Sequence, residues 1–90
     1  MTDFSKDERN VIAEFVFSYH NNIVLKSDLV DLIEVFEKHD LIKDADQWKE
    51  DSLNGLNNMT TRLGNHLRLV ITSEQVAEIM NEYYKINNNN

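Results

Sequence analysis

The sequence predicts an all-α fold: a single domain built as a small bundle of about four helices. Three observations predict it. Proline is absent and glycine occurs only at Gly55 and Gly64, whereas an all-β domain of 90 residues would need several turn formers. Apolar residues recur at steps of three and four, the period of a helix with one buried face. Helix-start patterns, a Ser, Thr or Asp followed three residues later by Glu or Gln, stand ahead of the apolar runs.

The first helix is expected to begin at Ser5, where Ser5 and Glu8 have the form of a capping box, and to run to about His20. Asn21-Asn22 then breaks it, because asparagine tolerates the left-handed backbone. A second helix is expected from Ser27 or Asp28, carrying Leu29, Leu32, Ile33 and Phe36 on one face, widened by Val30 and Val35. Asp44 and Gln47 have the form of another cap, with Trp48 in the first turns that follow. From Leu53 onward, Leu53, Leu56, Thr60, Leu63, Leu67 and Val70 form a continuous heptad-like seam. Thr72 and Gln75 cap the last helix, whose buried face is Val76, Ile79, Met80 and Tyr83. The helical domain is expected to cover residues 1–86, with 87–90 a disordered asparagine tail. An alternative takes the apolar, partly β-branched runs 23–25 and 69–71 as short strands.

Placed at 100° per residue, the first helix is apolar on two sides. Val11, Ile12, Phe15, Val16 and Tyr19 form one arc, and Ala13 and Phe17 lie nearly opposite. Such a helix sits in the middle of the bundle, or it presents Phe17 to a second chain.

Hydrophobic residues make up 41% of the chain and charged ones 28%, a balance that suits a folded globule. There is no cysteine, so neither disulfides nor a thiolate metal site can staple the fold. No apolar run approaches the ~20 residues of a membrane span, and Met1-Thr2-Asp3 does not open a signal peptide. A cytoplasmic location is the expectation.

The formal net charge is −7. Residues 1–51 hold thirteen acidic and six basic side chains and residues 52–90 three of each, so the first part carries the whole imbalance. This excludes a nucleic-acid backbone or an anionic membrane as the main partner and permits a basic protein. Helix-turn-helix reading of DNA through residues 25–42 is disfavoured, because Asp28, Asp31, Glu34 and Glu37 would meet phosphates. The same residues would steer the chain onto a basic groove, as a mimic of nucleic-acid phosphates. The plainer interpretation is a solvated, solubilising helix face. A smaller acidic stripe, Glu74, Glu78 and Glu82, lies on the last helix, and Arg62 and Arg68 are placed to bind an anion or pair with the acidic part.

Signatures of catalysis are poor. His20, His39 and His66 form no i, i+4 pair that would bind zinc. Asp40, Asp44 and Asp46 suggest oxygen ligands, but the position where a calcium loop needs its bidentate glutamate is Gly55. No glycine-rich phosphate loop exists, and no serine or threonine has a recognisable base partner. Asn58-Met59-Thr60 fits a glycosylation acceptor only in form. Neither enzyme activity, a cofactor nor a metal is expected.

Asp51-Ser52-Leu53 resembles the Asp-Ser-Leu of acyl and peptidyl carrier proteins, which are also small, acidic helical bundles. The resemblance implies a phosphopantetheine arm on Ser52. It covers three residues; Glu50 stands where the family's glycine usually does, the apolar pattern after Leu56 departs from it, and Ser52 is not taken as a site.

The function expected is therefore protein binding: a small inhibitor or adaptor, of the kind phages use against host proteins, docking an acidic helical surface onto a basic, nucleic-acid-handling protein. The residues expected to carry it are Asp28, Asp31, Glu34 and Glu37, with Phe17 or Trp48 as aromatic anchor. The alternative is a self-associating subunit, a homodimer through the first helix or the seam helix.

Overall fold

The computed structural model describes residues 3–87, which form five helices and no strand. They are α1 (Lys6–His20), α2 (Lys26–Lys38), α3 (Ala45–Asn54), α4 (Leu56–Val70) and α5 (Ser73–Asn87). The all-helical class stands, and the number of helices is five instead of about four.

The extra helix comes from Gly55. The seam expected to run unbroken from Leu53 is interrupted there, where the backbone leaves the helix at φ −151°, ψ 70°. Glycine gives up the most chain entropy in a helix, by about 1 kcal/mol relative to alanine, so a break is cheapest at this point. Leu53 ends up on α3 and 52% exposed. The face of α4 that reaches the core is Met59, Leu63 and Leu67, with Leu56 and Val70 partly buried against it.

Local hydrogen bonds explain the other boundaries. Glu8 N–H donates to Ser5 Oγ at 3.2 Å while Ser5 N–H donates to Glu8 Oε1 at 2.8 Å, so the capping box of α1 is complete. Asn22 turns the chain with φ 56°. Helix α2 starts slightly earlier than Ser27, because Asp28 at its third position accepts the Leu25 N–H at 2.9 Å and so closes the cap from within. The cap expected from Asp44 and Gln47 does not form. Asp44 takes a left-handed backbone (φ 57°), not the extended one from which a cap side chain reaches the helix, and Gln47 instead donates to Asp51 at 2.9 Å. Thr72 Oγ1 does accept the Gln75 N–H, at 3.1 Å, at the start of α5.

The strand alternative is not realised. Leu69 and Val70 complete α4, and the extended Ile71 has no partner strand among the described residues. Ile23 N–H donates to Ser18 O instead of to a neighbouring strand. Asn87 closes α5 instead of opening a tail, and residues 88–90 lie outside the described residues.

Helix α1 is central, packed against α2, α4 and α5, which accounts for its two apolar sides. Ile12 and Phe15 join Leu29, Leu32, Ile33, Phe36 and Leu63 in the solvent-free core, each burial contributing about 1.5–3 kcal/mol. Ala13 and Phe17 face α5: the Phe17 ring lies 6.0 Å from Tyr83 and 6.5 Å from Tyr84. Burial there, with Glu14 nearby, pushes the Tyr83 phenol up. No helix among the described residues is long and apolar enough to cross a membrane.

Candidate functional site

The acidic surface is built by α2 and the α3 that packs on it. Since Leu29, Leu32, Ile33 and Phe36 turn one side of α2 into the core, helical geometry turns Asp31 and Glu34 outward, one turn apart. Both are exposed and make no hydrogen bond or ion pair among the described residues. Glu37, a further turn on, meets Lys49 Nζ of α3 at 3.5 Å, and Asp46 and Glu50 are exposed on the same helix as Lys49. Residues 26–54 hold nine acidic and four basic side chains, so one such contact leaves most of the charge uncompensated.

Not every expected residue joins that surface. Asp28 is half-buried and spends a carboxylate oxygen on the α2 cap. Trp48 is half-buried between α3 and α4, with the Arg62 guanidinium 4.9 Å from its ring centre and the His66 ring at 5.3 Å. Arg62 also faces Asp51 at 3.9 Å, an exposed and weak contact. Phe17 lies on the opposite side of the core, against α5, so Phe17 and Trp48 belong to different surfaces.

The surface is held by a buried carboxylate that sequence pattern alone identified only as a cap. Glu8 Oε1 accepts from His39 Nε2 at 2.9 Å and Glu8 Oε2 lies 3.5 Å from Lys38 Nζ, which ties the first turn of α1 to the last turn of α2. The Phe4 ring packs edge-on against His39 at 4.8 Å. The backbone N–H of Ser5 first, then His39, hold the Glu8 carboxyl down from its ordinary 4.5 to about 2, with burial opposing them. Arg9 extends the cluster to α5, donating to Phe4 O at 2.6 Å and meeting Glu82 at 3.3 Å.

The remaining polar candidates have structural roles. His66 Nε2 lies 2.8 Å from Leu41 O, and no group of three potential ligands is gathered for a metal among the described residues. Ser52 is fully buried near the end of α3, its hydroxyl donating to Trp48 O at 2.8 Å. An arm-bearing serine of the kind the carrier resemblance implies would have to be accessible at a helix start, and Ser52 is neither.

The described residues form a small all-α domain of five helices, with α1 packed centrally against α2, α4 and α5 and the acidic α2 and α3 adjoining each other. Comparison with known protein families, curated proteins and solved structures found no match to this chain.

Proposed function

We propose that this chain is a non-enzymatic protein-binding module, an inhibitor or adaptor whose acidic α2 and α3 surface docks onto a basic partner that itself handles nucleic acid. The observation that carries the proposal is the pair Asp31 and Glu34, exposed, without an ion pair among the described residues and held on the outer side of a helix whose last turn is tied to α1. Fixed charges of one sign accelerate encounter with an oppositely charged groove and set its orientation. Asp46 and Glu50 extend the surface, and Trp48 supplies an aromatic edge beside it.

The test is capture from host lysate with tagged protein, with and without nuclease, beside the Asp31→Lys/Glu34→Lys variant. One dominant nucleic-acid-handling protein, retained after nuclease and lost with the charge reversal, supports the proposal. Capture that is indifferent to the reversal rules out the acidic surface as the docking face.

Self-association is the second reading, and one observation favours it: Leu69 on α4 is 83% exposed. A homodimer through that face would bury Leu69, and Leu69→Lys would dissociate it. A monomer by light scattering at working concentration removes this reading.

A further inference from the structure

A cavity of about 480 Å³ opens between α1, α4 and the start of α5, away from the acidic surface. Its origin is local. Gly64 lets α4 approach α1 so closely that a Cβ there would come within 2.8 Å of the Tyr19 ring. Beyond this contact Ile71 is extended (φ −128°, ψ 134°), so the chain turns out of α4 before α5 begins and leaves a gap between the two helices. The volume lies within the ~300–1,000 Å³ typical of small-ligand sites.

Phe15, Val16, Leu67, Ile71 and Val76 make the walls apolar. The first four are 1–9% exposed and belong to the core, while Val76 is half-buried at its edge, so the apolar wall is part of the packed interior. The polar groups are cationic or neutral: Arg68 and His20, both exposed at the rim, with Ser73 and the Tyr19 phenol. Arg9 and Arg62 each face a carboxylate, whereas Arg68 has no ion pair among the described residues. In a chain with sixteen acidic residues, no acid lines this cavity. Ser73 also brings the N-terminus of α5, the positive end of its dipole, to the same rim.

We infer that this cavity binds a small amphiphile with one carboxylate, a medium-chain fatty carboxylate, its alkyl chain against Phe15, Leu67 and Val76 and its head group on Arg68. Guanidinium and carboxylate match in charge and in planar, two-pronged geometry. Burial of the alkyl chain supplies the affinity, and the arginine supplies the preference for an anionic head over a neutral one.

The test is titration of the isotope-labelled full chain with sodium decanoate, kept below the concentration at which decanoate self-associates, followed by amide chemical shifts. Saturable shifts are expected at Tyr19, Gly64, Arg68, Ile71 and Val76 while α2 and α3 stay still. Decanol should bind more weakly. Arg68→Gln, an exposed substitution that leaves the core untouched, should weaken decanoate roughly tenfold, the scale of one charge-assisted hydrogen bond, and leave decanol nearly unchanged. Val76→Phe, with helix content checked by circular dichroism, should block both probes. Shifts that do not saturate, shifts outside the cavity, or equal affinity for decanoate in the Arg68→Gln protein would each overturn the inference.

Discussion

His39 Nε2 donates to the carboxylate of Glu8 across 2.9 Å, joining two helix ends that are 31 residues apart in the chain. The carboxylate already accepts the Ser5 N–H, so one side chain caps α1 and clamps it to α2. Replacing it by an amide removes the charge but keeps the shape. Glu8→Gln should lower stability by about 1–3 kcal/mol, the range for bonds to a charged group, in chemical denaturation at pH 7.

The same carboxylate makes stability depend on acid. Its pKa lies at about 2 in the folded chain against an ordinary 4.5, so its contribution is complete above pH 4.5 and is lost as pH falls from there to about 2. Denaturation midpoints between pH 5 and 2 should fall more steeply for the wild type than for Glu8→Gln, and the two curves should converge near pH 2. Parallel curves would show that Glu8 is not the titrating clamp.

Phe17 tests the attachment of α5, which packs chiefly on α1. Phe17→Ala removes the ring that touches Tyr83 and Tyr84, and since the ring is only half-buried the cost should be about 1–3 kcal/mol, below that of a core phenylalanine. Amide hydrogen exchange should accelerate across α5 while α2 and α3 stay protected. A uniform acceleration would mean that α5 is part of one cooperative unit with the rest.

Charge reversal on the acidic surface should leave the fold alone. Asp31 and Glu34 have no structural partner among the described residues, so Asp31→Lys/Glu34→Lys should shift stability by no more than about 0.5 kcal/mol per site. Thermal melts establish this before any loss of binding is attributed to the surface.

Ser52 offers a contrast between two substitutions. Ser52→Ala removes a hydroxyl that only adds a bond to a carbonyl within its own helix, and should cost under about 1 kcal/mol. Ser52→Leu forces extra volume into a closed site and should cost about 1–3 kcal/mol. Incubation with a phosphopantetheinyl transferase and coenzyme A is expected to leave the protein's mass unchanged; a gain of one arm would overturn the structural role of Ser52.

Much of this molecule is legible along the chain because helix formation is local. The Ser5 and Glu8 pair, the turn at Asn22 and the Thr72 cap lie within a few residues of the helices they bound, and the apolar period of α2 names its own buried face. The acidic side of α2 follows from the same period, since what is turned inward at Leu29, Leu32 and Phe36 leaves Asp31 and Glu34 outside. Where local signals competed, pattern alone could not choose: the spacing from Leu53 to Leu56 suits a helix, and the cost of glycine at position 55 won.

Which side of α1 meets which partner required the tertiary structure. The sequence allows Phe17 to face either a second chain or another helix, and only the placement of α5 shows that one side of its half-buried ring meets Tyr83 and Tyr84. The Glu8 to His39 clamp and the cavity beside Arg68 have the same character, being assembled from residues tens of positions apart. Periodicity reports the face a side chain takes on its own helix. Contact between helices depends on how they cross, which is set here by a glycine close approach at Tyr19 and one extended residue at Ile71.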